Sequence, residues 1–451
     1  MKRIPEDGKT ITPVDENCRP SRKEKIIYST GEIASNLSWN MVNAFLLYYY
    51  TDIANIPVAP LAWLFLCTKI LDAFIDISAG ALVDRTRSRW GHARPYLLFA
   101  AIPFGIMGSL VFMVPDISTQ GKIIYAFVTY GLLGLCYSLV YVPYTALQPL
   151  ISDNSRDHTI MGGLRSAGTS IASIIVYFSA QRLIDLTGGG AYGWGVTAVI
   201  FSLGAVALYF TVFAGTRERV PTQQESAPIK VVVWRMFRNP TWLSAFLLML
   251  INYARVITLV SVLPYVAKIL IGNTSMLGVF LTLNSIAVLV GGFFAGPLMN
   301  RYSVFSVNVA GVILSVAMFA LLPLVEGNVV LMLSLFTVAA LSISIFNSTA
   351  FAGCSNAANV QERLFGSRDE GMLASGISFG YKVGGAIGTA VVALLLSEAK
   401  YSPTEVTQAV TDTVRMCFYW LQIGLLVLHL PIIAMLRSSS SKVVSQPQNT
   451  H

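Results

Sequence analysis

Two carboxylates four residues apart, Asp72 and Asp76, lie within the otherwise apolar stretch 61–83. On a helix that spacing sets both on one face. A charged side chain at membrane depth costs roughly 2.5–3.5 kcal/mol unless it meets a partner or a polar cavity, so the pair reads as an ion or proton site. Lys69, three residues before Asp72, is close enough on a helix to pair with it. The three charges could therefore also form a self-neutralising packing cluster. Two further cations, Arg165 and Lys382, fall near the start of one apolar segment and well inside another. Each needs an anion, from Asp72, Asp76 or a ligand, and the arginine fork suits carboxylate or sulfonate oxygens. Arg255 sits in a seventh segment, where it provides either attraction for an anion or a snorkelling anchor. Asn36, Asn40 and Asn43 share roughly one face of the first segment with Trp39 nearby, a combination that suits a sugar and that can also glue helices together.

The elements that must hold these residues follow from hydropathy. The chain has 451 residues, of which 54% are hydrophobic and 12% charged, and its mean hydropathy is +0.63. About twelve segments reach spanning length, which predicts an all-α polytopic membrane protein with 12 transmembrane helices in two six-helix halves. The expected organisation is a cytoplasmic tail 1–25, an N-terminal half 26–214, a basic connection 215–240, a C-terminal half 241–436 and a disordered tail 437–451. Lys and Arg concentrate in the first tail, after the second segment and in the connection, which predicts cytoplasmic termini. The net charge of +8 is mostly this collar and is not a nucleic-acid footprint. The first span follows a charged tail and is too long for a signal-peptide core. Five scattered cysteines suggest neither disulfides nor a metal site. His92, His158, His429 and His451 are far apart and lack the spacing of a hydrolase or phosphate-loop motif, so no enzyme is predicted. Two halves of six helices suggest alternating access around a midplane site. No feature requires an oligomer, and a monomer is expected.

Four motifs in order, YYYTD at 48–52, LDAFID at 71–76, DRTRSRWGHARPYLL at 84–98 and GSRDEGMLASGISFGYKVGGAIG at 366–388, resemble those of the glycoside-pentoside-hexuronide:cation symporters of the major facilitator superfamily. The resemblance covers nearly the whole chain and is similar to that of glucuronide and melibiose permeases. It implies that Asp72 and Asp76 form the coupling-cation site, with Lys69 and Ser138 beside them. It also implies a substrate site drawn from Asn36, Trp39, Asn40, Tyr141, Arg165, Arg255 and Lys382, and gating by Asp84, Arg85, Arg87 and Arg368. Sodium-using members resemble one another in an amide one place before the second Asp, where this chain has Ile75; the coupling ion is accordingly read as H+, with Na+ as the alternative. Asn36 stands where melibiose permeases carry an Asp, which removes repulsion against an anion. The expected substrate is thus an anionic glycoside, a hexuronide or a sulfonated sugar such as sulfoquinovose. The alternatives are a neutral glycoside or pentoside taken up with Na+, and a lysolipid on a similar fold. Asn347, Asn356 and Asn359 depart from the family pattern, which leaves the inner gate and the sugar stack open.

Overall fold

The computed structural model describes residues 20–152, 154–219, 229–365 and 370–435. Among these the chain is helical, with one isolated bridge between Ser88 and Gly91. The first half contains α1 (Arg22–Tyr48), α2 (Val58–Arg85), α3 (Arg94–Phe99), α4 (Ala101–Leu110), α5 (Thr119–Ile151), α6 (Ser155–Leu186) and α7 (Gly190–Gly215). A short helix, α8 (Ile229–Arg238), lies in the connection. The second half contains α9 (Pro240–Tyr265), α10 (Met276–Arg301), α11 (Val304–Leu321), α12 (Val329–Phe365), α13 (Glu370–Glu398), α14 (Gln408–Arg415) and α15 (Leu421–Val427). Single turns of π-helix continue α1 and α9 and join α14 to α15.

Seven helical stretches among the described residues are long and apolar enough to cross a membrane. Neither α1 nor α6 is among them, since these helices carry the polar residues discussed below: Glu32, Asn36 and Asn40 on α1, Arg165, Thr169 and Ser173 on α6. A polar face on such a helix has to turn inward. Accordingly α1 packs on α6 and α7, and α2 on α5. In the second half α9 packs on α13, while α10 and α11 pack on α12. The halves meet where α1 touches α9, α2 touches α13 and α6 touches α10. First helix against first, and second against fifth in both senses, is the pattern a pseudo-two-fold axis produces.

The α9–α13 contact has a sequence cause. Gly376, Gly380, Gly384 and Gly388 recur every fourth residue along α13, and a Cβ at any of them would overlap α9: Trp242, Phe246, the Leu250 carbonyl and the Ala254 carbonyl in turn. Small residues at this spacing let two backbones approach closely in an apolar medium. The N-terminus of α9 is pinned by Asn239, whose Oδ1 accepts from the N–H of Thr241 and Trp242, both at 3.1 Å. Its amide donates to the Ala357 carbonyl at 2.9 Å. Lys382 is thereby carried on a helix whose position is set closely against its neighbour.

Candidate functional site

The polar residues of α1, α5 and α6 converge on one carboxylate that the sequence reading passed over, Glu32. It is 6% exposed. Arg165 donates from Nε to Glu32 Oε2 at 2.8 Å, from Nη1 to Gln148 Oε1 at 3.1 Å and from Nη2 to the Tyr141 hydroxyl at 3.4 Å. Tyr141 donates to Glu32 Oε1 at 3.3 Å, as does the Asn36 amide. Thr169 donates to the same oxygen at 3.5 Å. Arg165 therefore carries its counter-ion from within the chain rather than waiting for one. Glu32 was visible as an acid inside an apolar segment, one helical turn before Asn36.

Aromatic rings extend this wall. Trp39 stacks on Tyr137 at 4.4 Å between centroids, and Tyr137 stacks on Tyr141 at 5.1 Å. Residues 137 and 141 are one turn apart, so α5 presents both rings to α1. Asn40 donates to Ser173 Oγ at 2.9 Å and so ties α1 to α6. From the second half Tyr253 and Tyr381 approach each other at 5.0 Å.

The aspartates lie on the other flank. Asp72 is 5% exposed, and a side chain on Gly134 would overlap its carboxylate, so the glycine makes room for it. The helices α2 and α5 run in the same direction, with Phe65 against Tyr130 at 5.2 Å earlier along both. Asp76 and Ser138 each stand one turn further along their own helices, four residues beyond Asp72 and Gly134. Asp76 Oδ2 accepts from Lys382 Nζ, an ion pair that bridges the halves between α2 and α13. Asp76 Oδ1 and Ser138 Oγ are both buried without a hydrogen-bond partner among the described residues. Two orphaned oxygens beside a second carboxylate suit a small cation or a proton. No third carboxylate, His or Cys joins them among the described residues.

Other expected residues stand elsewhere. Arg255 is 3% exposed, but it is two residues and therefore about 200° around α9 from Tyr253. Its Nε is buried without a hydrogen-bond partner among the described residues. Arg85 and Arg87 are exposed. The side chains of Lys69, Asp84, Asn347, Asn356 and Asn359, and the whole of Arg368, lie outside the described residues. At the same end Glu218 accepts from the N–H groups of His92, Ala93 and Arg94 at 2.7, 2.9 and 3.1 Å, which ties the 84–94 loop to the end of α7.

A polar latch absent from the expected gate closes the opposite end. Lys268, just past α9, donates to Asp52, just past α1, at 2.5 Å. The Tyr401 hydroxyl donates to the same Asp52 oxygen at 2.8 Å. Thr51 and Tyr265 share a hydrogen bond of 2.9 Å beside it. Residues of both halves thus meet at the end where α1 and α9 finish.

A helical chain with a polar seam between two related halves is the architecture of a secondary transporter. The family model described as MFS/sugar transport protein matches residues 27–437, and the chain belongs to that family of sugar/cation symporters. It is a membrane transporter and not an enzyme. It is 30% identical over 416 residues to the isoprimeverose transporter of Lactiplantibacillus pentosus, covering 89% of this chain and 85% of that protein. It is 28% identical over 423 residues to the glucuronide carrier protein homolog of Escherichia coli strain K12, covering 90% of each. Its fold is similar to that of a bacterial homolog of the human lysosomal transporter Spinster in an inward-facing, occupied conformation: TM-score 0.66, 13% identity, 94% of this chain and 97% of the other.

Proposed function

We propose that the chain imports an uncharged glycoside together with a proton by alternating access across twelve spans, with both termini cytoplasmic. The observation that carries this reading is the Asp76–Lys382 ion pair between the halves. Protonation of Asp76 removes the charge that holds Lys382, so occupancy of the coupling site loosens the joint that must open. A ligand can shift a conformational balance only through such a difference between states. Asp72 and Ser138 complete the proton site. Ile75 supplies no extra oxygen for sodium.

The sequence favoured an acid sugar because three cations seemed available. In the structure Arg165 already holds Glu32 and Lys382 already holds Asp76, while the Nε of Arg255 is buried without a hydrogen-bond partner among the described residues. An acid group on Arg165 would have to compete with Glu32 for the guanidinium. Sugar hydroxyls instead donate to Glu32 and accept from Arg165 and Asn36, while Trp39 and Tyr137 cover the apolar face of the ring. Similarity to an isoprimeverose transporter supports a glycoside substrate.

The test is uptake into proteoliposomes under an imposed pH gradient or an imposed sodium gradient, with labelled neutral disaccharides and glucuronides. Accumulation of a neutral sugar that a protonophore abolishes is the expected result. Sodium-driven uptake would overturn the proton assignment, and exclusive uptake of the glucuronide would overturn the reading of Glu32.

A further inference from the structure

The outer side of α4 and α7 carries a feature that sugar transport does not use. A groove of about 170 Å³ runs between these helices, with Gly105 at its floor, Ile102, Ile106 and Ser109 along one side and Leu203 and Val206 along the other. A Cβ on Gly105 would lie 2.6 Å from Val206 Cγ2, so the glycine is what lets the two helices close the floor. Ser109 leaves the groove apolar, because its hydroxyl donates to the Gly105 carbonyl at 3.0 Å. Phe99, Ile102, Ile106 and Leu203 are all exposed. Helical rise from residue 99 to residue 109 is about 15 Å, half of a hydrocarbon core about 30 Å thick, so the groove has the depth of one leaflet. At the end where α2 and α7 finish it leads to a cluster of rings. Phe99 stands three residues before Ile102 and Phe213 seven beyond Val206, and the Trp90 ring lies 5.9 and 6.0 Å from theirs. The Arg89 guanidinium lies 4.3 Å from the centroid of the Trp90 ring. Stacking occupies the face of the guanidinium and leaves its in-plane N–H groups to donate. Arg85, Arg87 and Arg89 are exposed, and no carboxylate among the described residues forms an ion pair with them. The nearby Glu218 is taken by the N–H groups of His92, Ala93 and Arg94, and Arg94 itself donates to the Phe213 carbonyl.

We propose that this groove holds one acyl chain of an anionic phospholipid whose phosphate is bound by Arg89, with Arg85 and Arg87 adding to the attraction. Exposed apolar side chains meet lipid anywhere on a membrane-spanning chain. A groove with a cationic end is different, because it fixes one lipid in place. The order of features matches the order of parts in such a molecule: the guanidinium fork meets phosphate oxygens, the rings sit at the boundary between headgroups and acyl chains, and the apolar groove follows. Three arginines within five residues favour anionic over zwitterionic headgroups, because the latter carry their own ammonium. A lipid seated there would bridge α4, α7 and the 84–94 loop. This inference uses none of the residues of the proposed sugar and proton sites, and it stands whatever the sugar or coupling ion proves to be.

The experiment is native mass spectrometry of the full-length chain in detergent, titrated with phosphatidylglycerol, phosphatidylcholine or inorganic phosphate. The unmodified chain is expected to retain phosphatidylglycerol in preference to phosphatidylcholine and to retain no inorganic phosphate. Two variants separate the ends of the site. Arg89→Gln is expected to weaken phosphatidylglycerol binding about fivefold, the loss of one cation at an anionic headgroup. Ser109→Phe fills the groove and is expected to weaken both lipids alike by about 15-fold, the loss of roughly two buried methylenes. Equal retention of both lipids by the unmodified chain would overturn the proposal without recourse to any variant. Undiminished binding by Arg89→Gln would remove the phosphate from this arginine, and undiminished binding by Ser109→Phe would remove the acyl chain from the groove; either result overturns it. Phosphate binding as tight as that of the lipid would overturn it too, since that would mean a soluble-anion site.

Discussion

Glu32 decides what Arg165 can do. With the carboxylate 2.8 Å from Nε, the guanidinium is neutralised and serves as half of a dipolar clamp instead of an anion trap. Glu32→Gln should lower affinity for a neutral sugar about 10- to 100-fold by removing an acceptor, and destabilise the chain by about 3–5 kcal/mol through the orphaned arginine. The double change Glu32→Gln with Arg165→Gln should recover much of that stability while affinity stays low. Thermal unfolding and sugar binding on the four proteins of this cycle read the two effects separately. At the coupling site Asp76→Asn mimics the protonated carboxyl. It should abolish uphill accumulation while sparing exchange of internal for external sugar. Accumulation against a gradient in that variant would remove Asp76 from coupling.

At the scale of elements, the α9–α13 seam and the Asp52 latch make separate predictions. A methyl group at Gly384 would run into the Leu250 carbonyl, which is backbone and cannot rotate aside. Gly384→Ala should cost about 1–3 kcal/mol by overpacking, seen as a lower unfolding temperature. Gly292, which has open space around it, should tolerate the same change on these contacts. For the latch, Lys268→Met removes the cation shared between Asp52 and the Pro403 carbonyl. The seal should then open more often, and a cysteine placed at Thr51, 2% exposed as folded, should react with a maleimide several-fold faster than in the parent. Unchanged labelling would mean that apolar packing alone holds this end shut.

Over the whole molecule, α1 packs on α9, α2 on α13 and α6 on α10 between the halves, and alternating access as proposed requires these contacts to move. Near the closed end a side chain on Gly278 of α10 would sit 2.9 Å from the Tyr177 carbonyl of α6. Cysteines introduced at positions 177 and 278 should therefore cross-link under oxidation. Locking them should reduce uptake at least about tenfold, and a reductant should restore it, since a site that serves both faces must open there once per cycle. Undiminished uptake by the cross-linked protein would place the moving joint elsewhere.

Hydropathy and charge spacing were enough to read a helical membrane protein, because apolar length and the periodicity of polar residues are local properties of the chain. Asp72, Asp76, Arg165 and Lys382 stood out for the same reason: charge is rare in such segments and needs a cause. Partnership was not legible. Asp76 and Lys382 are separated by 306 positions and Glu32 and Arg165 by 133, and only the packing of α2 on α13 and of α1 on α6 brings them together. The difference matters for substrate charge, since an arginine counted alone attracts an anion and the same arginine paired does not. The latch of Asp52, Lys268 and Tyr401 likewise depends on where three chain segments end in space, which no local pattern records.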